Sequence, residues 1–292
     1  EDGIRDYKVT GVQTCALPIY RYGESHCFYK HIVTLGTCDN IEGADVEHYE
    51  DERDVLIAWT KMIQRMNPDI LTGYNIFGFD YKYLYNRSKK LGCTSKFMML
   101  SRIKGDRTQM IEKKLSSAAL GDNFLYYFNM AGRIQMDLMK VIQKDFNLGS
   151  YKLDSVAATF IRENIHDIEI EEYVNEYDIG SDKAEDFVSK FNTGSTYGLK
   201  VGQYVSIYFN DGLSDNKYKD GKKFKILELT DKSIKVMGSL DGKDVNNPGY
   251  KVYWCQAKDD VSPKDIFRLQ KGSSKDRCKV ARYCRSEEHT SE

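Results

Sequence analysis

The hydrophobic period of this chain changes near Thr193, and that change dictates two kinds of structure in one polypeptide. Upstream, Leu56, Trp59, Ile63 and Met66 recur three and four residues apart. They form the buried face of a helix, so Trp59 belongs to a core rather than to a site. Asp51-Glu-Arg-Asp54 places carboxylates in the first turn of that helix, where its dipole favours them, and Asn67-Pro68 ends it. Downstream the period is two. Val205, Ile207 and Phe209 alternate, as do Phe224 and Ile226, Ile234 and Val236, and Tyr250, Val252 and Trp254. The turn signals Asn210-Asp-Gly212, Lys219-Asp-Gly221 and Asp241-Gly242 separate these runs. Helical patterning returns at Ser262-Pro263, an N-cap followed by a first-turn proline. The pattern predicts a small antiparallel barrel or sheet over residues 195–256, inserted into a domain of another kind.

That other domain alternates. Apolar, β-branched runs at 31–37, 70–72, 124–130 and 134–137 read as strands, and residues 80–91, 138–146 and 151–162 read as helices. Gly92 closes the first of these helices. The alternation predicts a mixed α/β domain. Bulk properties narrow the class without naming a function. At 41% hydrophobic and 30% charged residues the composition is that of a soluble globular chain, and no run is long enough to span a membrane. The seven cysteines (15, 27, 38, 93, 255, 278 and 284) show neither a CxxC pair nor a metal-ligand spacing. A formal charge of −1 means that any grip on a polyanion must be local.

One carboxylate stands out. Asp80 follows an apolar strand and a turn and opens a helix, so its side chain is rigidly placed at the mouth of the domain. Phosphodiester hydrolysis at neutral pH uses two divalent ions about 3.5–4 Å apart, held by carboxylate oxygens. An Asp at a helix start is also an ordinary cap, and only its context separates the two readings. That context is Asn67-Pro-Asp-Ile-Leu-Thr-Gly-Tyr-Asn-Ile-Phe-Gly-Phe-Asp-Tyr81. It resembles the second exonuclease motif of family B DNA polymerases, an Asn, three residues, then Phe/Tyr-Asp. Gly132-Arg-Ile-Gln-Met-Asp-Leu138 and Leu148-Gly-Ser-Tyr-Lys-Leu153 resemble the segments that follow it in that domain. The whole is similar to the polymerase delta catalytic subunit and its large-DNA-virus relatives over residues 28–190 and 250–284.

The resemblance implies an RNase H-like proofreading 3′→5′ exonuclease domain of mixed sheet and flanking helices. It implies a four-carboxylate site that uses two Mg²⁺ or Mn²⁺ ions in the intact parent. Asp80 is then a metal ligand. Asn75 positions the primer terminus or a metal-bound water, with a turn-forming Asn as the plain alternative. Phe79 packs beneath the site or the terminal base, or else is simply core. Tyr283, in Ala281-Arg-Tyr-Cys284, resembles the start of the third motif, Tyr-x-x-x-Asp, and would orient the nucleophilic water. Asp137 is assigned to the strand–helix junction and not to the metal set. The implied partners are a primer–template with a single-stranded 3′ end, the palm, fingers and thumb of the same polymerase, and a processivity factor. The implied setting is intracellular, a nucleus or a viral replication compartment, with no membrane.

Both ends depart from the pattern. Val9 to Ile19 resembles the translation of an indexed short-read library adapter, Glu1 to Asp6 the adjoining primer, and Arg285 to Glu292 the complementary adapter. Residues 1–19 and 285–292 are therefore expected to be adapter-derived and the body to be 20–284, with exonuclease-domain residues 20–194 and 257–284 around the 195–256 module. The first motif, Asp-x-Glu, is missing where adapter stands, and Glu287 falls at the third-motif Asp by coincidence. With one native carboxylate of four, this fragment is expected to be inactive. A rival reading makes the chain a non-catalytic nucleic-acid-binding or interaction module on the same scaffold; a third makes it a stand-alone exonuclease. The five lysines within residues 217–225 are either a phosphate contact or a solvated hairpin, and Tyr126-Tyr127 either stack bases or pack in a strand.

Overall fold

The computed structural model describes residues 12, 14–24, 26–117, 121–172, 187–212, 214–240, 249–257 and 263–291. The chain divides into two compact units, residues 1–147 with 261–292, and residues 148–260. The Asp241-Gly242 turn, the Ser262 N-cap and most of the first end segment lie outside the described residues.

In the first unit β1 (Thr14–Ile19) pairs antiparallel with β2 (Tyr29–Leu35), which runs parallel to β3 (Asp45–Tyr49). Side chains alternate across this sheet, with Cys15, Leu17, Val33 and Leu35 packing into one layer and Ala16, Ile32 and Val46 into the other. The first layer is built on α1 (Glu52–Met66). The Asp51 side chain caps it by accepting from the Arg53 N–H at 2.8 Å, and Asn67 ends it in the left-handed region at φ 49°. Val55, Leu56, Trp59 and Ile63 are buried, and the Trp59 ring stacks on Phe97 at 5.6 Å. The helical spacing therefore assigned Trp59 correctly.

The chain continues through β4 (Ile70–Gly73), a π-helical turn (Ile76–Asp80), α2 (Tyr81–Lys90) and α3 (Thr94–Phe97). A hairpin of β5 (Gln109–Ser117) and β6 (Gly121–Asn129) follows, then β7 (Ile134–Asp137) and α4 (Leu138–Asp145). β7 returns beside β4 in parallel register. Glu52, in the first turn of α1, accepts from Arg87 of α2 through both carboxylate oxygens and from the Val12 N–H. This bidentate, largely buried pair locks the two helices together.

The second unit opens with α5 (Leu153–Phe160) and is otherwise β: β8 (Arg162–Glu172), β9 (Phe187–Thr193), β10 (Tyr204–Asn210), β11 (Asp215–Lys217), β12 (Lys223–Thr230), β13 (Ser233–Met237) and β14 (Lys251–Ala257). The hydrogen-bonded order β10-β12-β13-β9-β8-β14 closes on itself because β14 also pairs with β10. The result is a six-stranded antiparallel barrel, with β11 added to the rest of β10's other edge. Phe191, Val205, Ile207, Phe224, Ile226, Ile234, Val236 and Trp254 fill its core. The unit begins well ahead of residue 195. β9 pairs along the whole of β13, and β8 bridges β9 to β14, so residues 195–256 alone would leave two open sheet edges.

The chain re-enters the first unit with α6 (Pro263–Gln270) and α7 (Ser274–Ser291). Cys278 and Ala281 of α7 pack with Ala16 and Ile32 on the second face of the β1–β2–β3 sheet. Arg277 fastens this helix to the sheet by donating to the Thr37 carbonyl at 2.5 Å. Among the described residues, no helix is long and apolar enough to cross a membrane.

Candidate active site

β4 and β7 are parallel neighbours with Gly73 opposite Asp137, and both strands end at this level. One side chain fastens the two turns that follow. Asp137, 2% exposed, accepts from the Met139 N–H at 3.0 Å and so caps α4. The same oxygen, Oδ1, accepts from the Asn75 N–H at 2.9 Å, and Oδ2 accepts from the Phe77 N–H at 3.0 Å. The carboxylate thus meets the N-terminal amides of two helical segments, where negative charge is favoured. The junction role assigned to Asp137 from the sequence agrees with these bonds.

The turn that Asp137 holds admits few residue types. Asn75 sits in the left-handed region at φ 59°, ψ 26°, which Asn tolerates better than most residues. A Cβ on Gly78 would lie 2.2 Å from Asn75 Oδ1, and one on Gly73 would lie 2.7 Å from Ile76 Cγ2. The Gly-Tyr-Asn-Ile-Phe-Gly string is therefore what a tight strand-to-helix passage requires sterically.

Asp80 ends the π-helical turn and leads into α2, and its side chain makes no capping hydrogen bond. Burial pushes its carboxyl up to about 6, opposed by the hydrogen bond from its own N–H and reinforced by the Asp137 charge. Asp80 is thus a desolvated acid, whereas Asp137 has spent its oxygens on backbone amides. Beside it, Tyr81 is buried and stacks on Phe128 at 4.5 Å, anchoring the start of α2 to β6. Phe79 is 43% exposed, so the plain core alternative does not hold for it. Its ring lies parallel to that of Tyr83 at 5.7 Å and 9°. Tyr83 is absent from the sequence-derived site, although its spacing of four from Phe79 on one helical path was the available signal.

Asn75, Phe79 and Asp80 are brought together within one turn. Tyr283 is half-buried on α7, in the helix layer over the second face of the β1–β2–β3 sheet. Among the described residues, no group of three or more His, Cys, Asp or Glu side chains is gathered as a metal ion would need. Asp80 alone does not make a two-ion centre, and Asp137 is already committed. The residues present do not fit the pair of ions.

The family model for the exonuclease domain of DNA polymerase family B matches residues 6–156, more than half of the chain and all of the turn just described. The chain belongs to this family. A DNA polymerase of Pyramimonas orientalis virus is 40% identical over 266 residues, covering 91% of this chain and 19% of the viral protein. A DNA polymerase of Phaeocystis pouchetii virus is 36% identical over 90% of this chain and 26% of its own length. The DNA polymerase delta catalytic subunit of Arabidopsis thaliana is 40% identical over 146 residues, 50% of this chain and 13% of that subunit. The chain therefore spans about a fifth to a quarter of the viral polymerases and less of the delta subunit. Members of this exonuclease family are metal-dependent in general.

Proposed function

We propose that residues 20–284 are part of the 3′→5′ proofreading exonuclease domain of a replicative DNA polymerase, on an RNase H-like scaffold. Asp80 carries this reading. It is desolvated, makes no cap, and sits at the end of a turn that Asp137 holds rigidly. In the intact parent Asp80 would be one of several carboxylates that bind Mg²⁺ or Mn²⁺. Asn75 would position the primer terminus, the exposed Phe79 ring would take up the terminal base, and Tyr283 would orient the attacking water. The DNA primer–template, the remaining polymerase domains, a processivity factor and an intracellular replication compartment follow from that parent.

The two ends are proposed to be adapter-derived. The viral polymerase alignments leave about a tenth of this chain unmatched, the share that residues 1–19 and 285–292 make up together. The family match itself starts at residue 6, inside the first of these segments. β1 is compatible with either origin, since the open edge of β2 pairs with any short alternating apolar segment. The barrel is proposed as an insertion shared with the viral polymerases. Their alignments cover about 120 more residues of this chain than the Arabidopsis one does, close to the length of the second unit.

The purified 292-residue chain is expected to leave a 5′-labelled single-stranded oligonucleotide intact in Mg²⁺ or Mn²⁺. Gel analysis over hours, at enzyme in excess of substrate, checks this. Metal-dependent shortening from the 3′ end by this chain would mean that its site is complete, contrary to the proposal.

A further inference from the structure

The segment that leaves β2 is tied to the start of α7 by a dense set of hydrogen bonds. Gln270, at the end of α6, donates to the Leu35 carbonyl at 2.7 Å. Arg277 donates to the Thr37 carbonyl at 2.5 Å and to the Thr37 hydroxyl at 2.6 Å. The Ser274 hydroxyl donates to the Asp39 carboxylate, and the Asp39 N–H donates to the Ser274 carbonyl at 3.5 Å. Gly36 permits the close approach. It is left-handed at φ 79°, and a Cβ there would lie 3.1 Å from Arg277 Nε.

These bonds bracket two cysteines. Cys38 lies between Thr37 and Asp39, and Cys278 follows Arg277 one helical turn after Ser274. With their neighbours bonded on both sides, the two thiols meet in hydrogen-bonding contact. Cys278 is 5% exposed in the cluster of Ala16, Ile32, Ile41 and Ala281, and the half-buried Cys38 packs against that cluster. The two are 240 positions apart in the chain, so no sequence spacing announces them. Other cysteines have other surroundings: Cys93 is buried in the layer built on α1, and the Cys27 thiol faces the Ile19 and Tyr29 carbonyls.

We infer that Cys38 and Cys278 are a disulfide-forming pair, closed by oxidation into a covalent staple between the β2–β3 connection and α7. Thiols already in contact need little backbone movement to close. The step is thiol–disulfide exchange with a small-molecule disulfide such as oxidised glutathione. The Cys38 thiolate, the more accessible of the two, attacks one sulfur and releases the first small thiolate. The Cys278 thiolate then attacks the Cys38 sulfur and releases the second. Two protein thiols and one small disulfide become one protein disulfide and two small thiols, which carry off both electrons and both protons. Burial, with Cys278 alongside, pushes the Cys38 thiol up to about 11. A thiol that ionises so reluctantly reacts slowly and is a poor leaving group, so the bond forms slowly and resists reduction once made. The staple holds the helix that carries Tyr283 and closes a loop around the whole second unit, which restricts the unfolded chain strongly. Neither the bond nor its test depends on the polymerase reading.

The test incubates the purified 292-residue chain with oxidised glutathione, with dithiothreitol as the reference, then blocks remaining thiols with N-ethylmaleimide and digests with trypsin. Mass spectrometry is expected to find a peptide pair joined through Cys38 and Cys278, absent after dithiothreitol. The oxidised chain is expected to melt at least about 5 °C above the reduced one. Cys38→Ala and Cys278→Ala are each expected to abolish the linked pair and the rise in melting temperature. Cys284→Ala, on the same helix and against the same cluster, is expected to keep both. Circular dichroism verifies that each variant is folded, and the linked peptide is read in the parent chain without any variant. Absence of the linked pair, a dominant link between other cysteines, or an equal yield when the chain is oxidised in urea would overturn the inference. So would a Cys38–Cys278 bond that leaves the melting temperature unchanged, since it would staple nothing.

Discussion

Asp137→Ala is expected to destabilise the first unit by about 4 kcal/mol. The substitution removes one acceptor from each of three backbone N–H groups, those of Asn75, Phe77 and Met139, next to a residue that is 2% exposed. A buried donor left without an acceptor costs about 1–3 kcal/mol, and partial entry of water lowers the sum of three. Asp137→Asn keeps one acceptor oxygen and is expected to lose about half as much. Each unit has its own tryptophan, Trp59 in the first and Trp254 in the second, so urea unfolding can be followed at Trp59 in a Trp254→Phe background. A loss below about 1 kcal/mol for Asp137→Ala would show that the two turns do not depend on this carboxylate.

Asp80 is expected to act in the opposite direction. Its carboxyl titrates near 6 in the folded chain, against an ordinary value of 3.8, because burial and the Asp137 charge disfavour the ionised form. The fold therefore prefers the neutral acid. This preference stabilises the native state fully below pH 4 and is lost as pH rises through 6, so at pH 7 the native state holds an ionised group at a cost of about 2–3 kcal/mol. Asp80→Asn removes the charge at nearly constant shape. It is expected to raise stability at pH 7 by a comparable amount and to flatten the dependence between pH 4 and 6. Unfolding midpoints at pH 4, 5, 6 and 7 for both proteins check this, and parallel curves would show that Asp80 is well solvated. Such a pH dependence is the stability–function conflict that the proposed site role of Asp80 predicts and a capping role does not.

How far the sequence announced this structure depends on how each element is stabilised. α1 was legible because its apolar residues face a single layer and its ends carry ordinary caps. The strands β10, β12, β13 and β14 were legible because they alternate cleanly between a barrel core and the outside. β8 and β9 escaped for two physical reasons. A register shift between Ile165 and Asp167 puts Ile165 and Ile168 three apart, breaking the period of two. In β9 the core positions include Ser189 and Thr193, which satisfy themselves internally: the Ser189 hydroxyl donates to the Gly238 carbonyl at 2.8 Å, and the Trp254 indole donates to Thr193 at 2.9 Å. Buried polar residues of this kind erase the apolar signal without weakening the strand.

Asp80 stood out by its place after an apolar strand and turn, whereas Asn75 and Phe79 were singled out through the resemblance of their motif; the clashes a Cβ would meet at Gly73 and Gly78 explain the glycines of that turn. The reach of Asp137 across from β7 to the turn was not legible in full, since a bond spanning 62 residues leaves no local pattern. Tyr283 was found only through the resemblance of its motif.

Asp80 is proposed to belong to the hydrolytic centre of a polymerase exonuclease domain. The most direct measurement is 3′-end trimming by a completed chain, in which residues 1–19 and 285–292 are exchanged for the aligned residues of the Pyramimonas orientalis virus DNA polymerase. With Mg²⁺ this chain is predicted to shorten a 5′-labelled single-stranded oligonucleotide stepwise from its 3′ end, and Asp80→Ala to slow it about a thousand-fold. A folded, completed chain that does not trim, or one whose trimming survives Asp80→Ala, would contradict the claim.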